Sequence, residues 1–233
     1  MHKIFSITSI LLATGTLTTQ SQATVAIEAT FAYESEYVFR AVQYADHSFQ
    51  PGVEVSYEGF YFGVWSNQPI VDPGAAFLNE VDFYGGYGFD INDTVSADFG
   101  LTYYWFPEEP SASATTREIY GGFSFAAPLD PSVYFYYDFD LKTFTVEGSA
   151  GYSIPLGSAD DSPYSLDLGA NVGWVSPKGG SSGFYTQTSA DISYSFTENA
   201  SLSFGIRASA VSDAISAGRT SNFWFGASFS AGF

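Results

Sequence analysis

Carboxylates are the side chains whose type and spacing suggest a chemical role in this sequence. They recur at even intervals, as in Glu80 and Asp82 or Asp138 and Asp140. A spacing of two places side chains on the same face of a β-strand. An ionised carboxylate that is buried without a partner is strongly destabilising, so it needs water, a cation or a proton. The spacing therefore predicts sheet faces that are wet and attract cations.

Most of the acidic residues belong to one such face. Fifteen of the 25 occupy the polar positions of alternating segments, where Arg40 and Arg207 are the basic residues. A water-filled interior lined by unneutralised carboxylates concentrates cations and repels anions. The alternative is that these acids only keep the chain soluble, as acids at strand ends do. We predict that the lining of a pore consists of Glu28, Glu54, Asp82, Asp98, Asp138, Glu147, Asp167, Asp191 and Arg207.

Arg207 is the one basic residue in the middle of a predicted strand. A turn over residues 197–200 would place Asp191 directly opposite it across a hairpin. An ion pair there would either set an electrostatic barrier in the pore or simply neutralise an acid.

Catalytic chemistry finds little support. The chain has no cysteine and therefore no thiolate nucleophile. His47 is the one histidine beyond the N-terminal segment. It stands next to Asp46 and Ser48, and we place all three in a long connection between strands. Adjacent loop residues rarely form a catalytic triad, and one histidine cannot make a multi-histidine metal site. We expect no enzymatic activity, no cofactor and no bound metal.

The elements that position these acids are strands. Apolar and polar residues alternate from residue 25 to the end, as where Ile27, Phe31 and Tyr33 alternate with Glu28 and Glu34. We count twelve strands, joined alternately by short turns and by mostly longer connections, the first of these over residues 40–51. The strand over 60–66 is apolar on both faces, so its outward face and the exact strand count stay open.

This layout predicts an all-β fold, a transmembrane antiparallel up-and-down β-barrel of about 12 strands. A soluble β-sandwich also alternates, but its surface would carry more than the 7 basic residues present here. Aromatic residues also concentrate at predicted strand ends, as in the girdles at the two membrane interfaces. They are Tyr37, Phe39, Trp65, Trp105 and Trp174 on the loop side, and Phe89, Phe125, Phe196 and Phe233 on the turn side.

Composition excludes two further classes. A net charge of -18 with 7 basic residues leaves too few cations to bind a phosphate backbone, so we expect no nucleic acid partner. An aromatic content of 19% is far above that of disordered chains.

The first 23 residues have the features of a secretory signal. Lys3 follows His2, an apolar stretch comes next, and Ser21 and Ala23 supply the small residues of a cleavage site. We therefore divide the chain into a signal peptide, 1–23, and an outer-membrane barrel, 24–233.

Residues 33–66 carry a more specific pattern. Tyr37-Val38-Phe39-Arg40, Gln50-Pro51-Gly52-Val53 and Gly59-Phe60-Tyr61-Phe62-Gly63-Val64-Trp65-Ser66-Asn67 follow in that order, and Glu80–Tyr87 extends the likeness. This pattern resembles the opening of the TorF-type family of proteobacterial outer-membrane porins. Ala41 departs from it, because the family usually has glycine after the arginine. The resemblance implies a small, monomeric, porin-like barrel and names no solute.

Together these features predict an outer-membrane channel of a Gram-negative bacterium that passes small solutes by diffusion and prefers cations. Its partners would be outer-membrane lipid, small solutes or cations, and the barrel assembly machinery, which would read the C-terminal strand ending at Phe233. The alternatives are a non-conducting structural or adhesive barrel that acts through its surface loops, and a membrane hydrolase that uses His47.

Overall fold

The computed structural model describes residues 25–71, 79–109, 114–157 and 162–233; the predicted signal segment 1–23 lies outside them. The described residues form twelve antiparallel strands that close into one barrel, each paired with its sequence neighbours and β1 also with β12. None of the described residues forms a helix long and apolar enough to cross a membrane. The predicted twelve-stranded antiparallel barrel is confirmed. Its strands are β1 (Ala26–Phe39), β2 (Val42–Tyr57), β3 (Phe60–Pro69), β4 (Glu80–Asn92), β5 (Val95–Trp105), β6 (Thr115–Phe125), β7 (Ser132–Asp138), β8 (Thr143–Pro155), β9 (Tyr164–Pro177), β10 (Gly183–Thr197), β11 (Ala200–Val211) and β12 (Ser221–Gly232).

The outer surface of the barrel is apolar. Phe62, Phe99, Ile192 and Phe204 each expose more than half of their surface, at 58%, 56%, 55% and 56%. Soluble proteins rarely expose a continuous apolar belt, because its contact with water is unfavourable. The belt therefore faces lipid, and the polar side chains that alternate with it face the interior.

Strand β3 now has a defined outward face. Phe60 and Phe62 are exposed, whereas Tyr61 turns inward and donates a hydrogen bond to Asp98 on β5 over 2.9 Å. The inward side of this strand is aromatic because Tyr61 keeps its hydroxyl paired there.

One hairpin leaves the wall of the barrel. Strand β1 pairs with β12 only as far as Glu34, and β2 pairs with β3 only from Ser48 onward. Residues 35–47, which we name the inner hairpin, form their ladder with each other. At its tip Arg40 and Ala41 have φ angles of 48° and 62°, as in a two-residue turn of the type that suits β-hairpins. The predicted long connection over 40–51 is therefore wrong, because strand pairing continues up to this turn.

Candidate functional site

The predicted pore-lining residues all lie on the inward face of the strands. Asp82, Asp138, Asp191 and Arg207 are buried, with 4% or less of their surface exposed. Glu28, Glu54, Asp98, Glu147 and Asp167 are half-buried. Arg40, Glu34, Glu80 and Glu118 join them inside the barrel; the sequence pattern assigns these four to the same polar face but not to the predicted pore lining.

On the inner wall of the barrel, three pairs of acids face each other directly across neighbouring strands; a fourth pair, Glu36 with Asp46, lies in the inner hairpin. The register pairs Glu28 with Glu54, Glu118 with Asp138, and Asp167 with Asp191. Like charges directly opposite each other in a ladder are destabilising. Each pair therefore needs water, a proton or a positive charge beside it.

Arg207 supplies that charge to one of the pairs. Its Nη2 atom lies 2.8 Å from Oδ1 of Asp191, and its Nε atom lies 3.4 Å from Oε1 of Glu34. All three side chains are buried.

The predicted register of this hairpin is wrong by two residues, although the ion pair forms. Arg207 lies opposite Ser189, and Asp191 lies opposite Gly205. The ladder is irregular between Ser195 and Thr197, which a turn drawn from sequence does not reveal. The long arginine side chain still reaches Asp191, because diagonal neighbours in a ladder are within range.

Arg40 supplies a positive charge to a second pair. Its Nη1 and Nη2 atoms donate hydrogen bonds to Oε2 and Oε1 of Glu118 over 2.8 and 2.9 Å, a bidentate contact. Tyr104 donates a third hydrogen bond to Glu118 over 3.1 Å, and Thr116 donates one to Asp138. A signal for Glu118 was present in the sequence, since a turn at 128–131 places it close to Asp138 across the hairpin.

The inner hairpin also carries aromatic residues into the barrel. Tyr37 is buried, donates a hydrogen bond to Glu80 over 2.8 Å and packs on Trp65, with ring centroids 5.6 Å apart. Phe39 packs on Tyr104 with ring centroids 6.3 Å apart. Placing Tyr37, Phe39 and Trp65 in a membrane girdle is therefore wrong. Tyr37 and Phe39 leave the wall with the hairpin, and Trp65 packs against the hairpin inside the barrel.

Tyrosine rings on the inner wall lie over glycines of neighbouring strands. A Cβ atom added at Gly63 would lie 2.2 Å from Cζ of Tyr84, and one at Gly173 would lie 2.1 Å from Cζ of Tyr185. Gly122 meets the ring of Tyr134 in the same way, at 2.5 Å. These rings therefore rest against the wall, because only a glycine leaves room for them.

The half-buried acids make hydrogen bonds with hydroxyl groups. Asp98 accepts from Tyr61, Asp167 accepts from Ser193 over 2.5 Å, and Glu147 accepts from Tyr185 over 2.5 Å. Among the described residues no ion pair involves Glu28 or Glu54, and no group of three or more potential ligands is arranged to hold a metal ion.

His47 does not lie in a loop, as the sequence prediction had it, but within β2. Its Nδ1 atom is 2.8 Å from the Tyr33 hydroxyl, and the two rings stack with centroids 6.3 Å apart. Positioned in this way, the histidine links β1 to β2 at the base of the inner hairpin.

One exposed ion pair lies at the loop-side rim. Arg117 donates to Asp140 from Nη2 over 2.7 Å and from Nε over 3.0 Å. These hydrogen bonds hold the pKa of the Asp140 carboxyl below its usual value. The pair provides an exposed counterpart to the ion pairs of the interior.

Comparisons with known proteins agree with this architecture. The sequence model of a bacterial family of unknown function, Gcw_chp, matches residues 18–128, a range that contains β1 to β6 and the inner hairpin. No curated protein matches the chain. Among solved structures, a KdgM porin is similar with 14% sequence identity and a TM-score of 0.55, over 89% of this chain and 99% of that one. A KdgM porin in complex with disordered oligogalacturonate is similar with 13% identity and a TM-score of 0.54, over the same shares of both chains.

At this level of identity the likeness establishes the fold. The structure itself adds an even number of antiparallel strands, an apolar outer belt and a polar interior, which together are the architecture of bacterial outer-membrane proteins. The chain is thus a transmembrane β-barrel of the outer membrane.

Proposed function

We propose that this barrel is a porin-like channel through which small solutes diffuse passively, with a preference for cations. The observation that carries the proposal is the set of three acid pairs facing each other on the inner wall. Arg40 and Arg207 form ion pairs with members of two of these pairs. Glu28 and Glu54 form the third pair, and they lie near the end of the barrel where β1 begins and β12 ends. A cation passing this point lowers the repulsion between the carboxylates, and an anion raises it.

Four of the half-buried acids are the ones we assign to the route of the ions. Glu28, Glu54, Asp98 and Asp167 lie toward the end of the barrel where β1 begins and β12 ends, below the ion pairs of Arg40 and Arg207. Carboxylates that keep contact with water retain their charge at a lower free-energy cost than buried ones. They therefore act as the ring of negative charge that repels anions.

Ion selectivity in planar bilayers tests this function. We expect the reversal potential of the refolded protein in a KCl gradient to favour potassium over chloride. The double substitution Asp98→Asn with Asp167→Asn should reduce this preference, because it removes two inward charges. Asp93→Asn is the matched control, since Asp93 is an exposed residue of a terminal-side turn. An unchanged preference in the double variant would remove these acids from the ion route.

We also propose that the first 23 residues are a cleaved signal peptide, that the barrel is monomeric, and that the strand ending at Phe233 is recognised by the barrel assembly machinery. Membership of the TorF-type porin family is proposed on the motifs in residues 33–66.

The inner hairpin favours a second candidate, a non-conducting barrel that acts through its surface loops. Its residues reach side chains on most of the wall, from Glu80 on β4 to Asn222 on β12. If folded variants with a displaced hairpin do not conduct, this result would support the non-conducting barrel over the channel.

A further inference from the structure

The tip of the inner hairpin crosses the barrel from one wall to the opposite one. Arg40 follows β1 and binds Glu118 on β6, while its guanidinium carbon lies 4.8 Å from the ring centre of Tyr136 on β7. In a closed barrel of twelve strands, β7 is six positions from β1 in either direction. A contact between them therefore requires the chain to span the bore.

The length of the hairpin fits this span. Twelve strands about 4.8 Å apart and tilted by about 40° enclose a barrel about 24 Å across from backbone to backbone. The six residue-to-residue steps from Glu34 to Arg40 extend over about 20 Å. The arginine side chain covers the remaining distance to Glu118.

The hairpin is also held from its sides. Ala41 is fully buried against Tyr185 and Val211, and Asn222 donates a hydrogen bond from Nδ2 to the Ala41 carbonyl over 3.0 Å. On the loop side, Arg219 donates to Gln43 over 2.6 Å. Contacts on β4, β6, β7, β10 and β12 thus hold the hairpin from most sides of the barrel.

The tip is held in an unfavourable backbone conformation. Both Arg40 and Ala41 have positive φ angles, which are unfavourable for an L-residue. Such a conformation persists only where the surrounding structure fixes it. The bidentate contact between Arg40 and Glu118 is the strongest of the polar contacts that do so.

We propose that the inner hairpin closes the bore and that the ion pair between Arg40 and Glu118 is the latch that holds it there. This inference rests on the proposed channel function. Glu118 belongs to an acid pair with Asp138, so Arg40 occupies a place at which a mobile cation would otherwise be held. Passage then requires the hairpin tip to be released from β6, and Arg40 determines both the size limit and the charge at the narrowest point.

Bilayer recordings test the latch. We expect the wild-type protein to be closed for most of the time, with rare openings. Arg40→Ala and Glu118→Gln should each raise the open probability at least about tenfold, since tenfold corresponds to only about 1.4 kcal/mol. The double variant should add little to either change, because both substitutions break the same contact. Arg117→Ala breaks an ion pair at the exposed rim, adjacent in sequence to Glu118, and is the matched control that should leave gating unchanged.

A thiol label reports on the hairpin without relying on conduction. The chain contains no cysteine, so Ala41→Cys introduces a single thiol at a fully buried position. We expect a membrane-impermeant thiol reagent to modify it slowly, and at least about tenfold faster when Glu118→Gln is added, by the same free-energy argument. The gel mobility of the unheated protein verifies that each variant has a folded barrel.

The outcomes separate this inference from the function on which it rests. Equal open probability in the wild type and Arg40→Ala, or rapid labelling of Ala41→Cys alone, would overturn the latch and leave the channel standing. If no folded variant conducts but labelling is faster with Glu118→Gln, the channel function is refuted. The hairpin would then still be held by Arg40.

Discussion

Replacing Arg207 by alanine should destabilise the barrel strongly. Arg207 is 2% exposed and holds Glu34 and Asp191, which are 3% and 4% exposed, at distances of 3.4 and 2.8 Å. Removing one partner of a buried ion pair typically costs about 3–5 kcal/mol, because a charge is left buried without compensation. We expect the free energy of unfolding of Arg207→Ala to fall by an amount in this range.

Urea unfolding in lipid vesicles measures this loss. Tryptophan fluorescence follows the unfolding, and one of the four tryptophans, Trp224, is buried directly opposite Arg207 in the ladder. Adding Glu34→Gln and Asp191→Asn to Arg207→Ala should restore most of the stability, because no uncompensated charge then remains. A loss below about 1 kcal/mol in Arg207→Ala, the size found for exposed ion pairs, would show that these three side chains are hydrated and do not form a buried ion pair.

Two further predictions concern packing and titration. Gly173→Ala should lower the free energy of unfolding by about 1–3 kcal/mol in urea, because the new Cβ overlaps the ring of Tyr185. Gly148→Ala, whose Cβ would lie 3.7 Å from the nearest atom, should change it little. The pKa of Asp140 should be lower in the folded than in the unfolded protein, so the stabilisation from its pair with Arg117 is present at neutral pH and is lost as the pH falls through the folded pKa. Carboxyl NMR titration should show that Arg117→Ala raises this pKa, and an unchanged value would contradict the assignment.

The wall of the barrel follows from sequence because each strand in it has two different environments. Alternation at residues such as Phe99, Leu101 and Tyr103 assigns one face to lipid, and Asp98, which occupies the other set of positions, therefore points to the interior. The turn between β6 and β7 brings Glu118 near Asp138, so this acid pair can also be predicted from the sequence.

The inner hairpin was not predictable on these grounds. The alternation of inward and outward positions assigns a side chain correctly only while its strand stays in the wall of the barrel. Strand β1 leaves the wall after Glu34. Beyond that point both faces of the strand are covered, as the adjacent buried residues Tyr37 and Val38 show. The contacts of Arg40 join residues 78 positions apart, and no local pattern encodes such a distance. Tyr37 and Phe39 therefore suggested a girdle although they pack inside the barrel.

The reversal potential in a KCl gradient decides whether the acids of the inner wall select cations. It should be measured on the wild-type protein and on Arg40→Ala, so that a closed hairpin cannot hide a functional bore. An acid-lined channel predicts a reversal potential with the sign of the potassium equilibrium potential in both proteins. A reversal potential with the sign of chloride, or no conductance from either folded protein, would contradict the account.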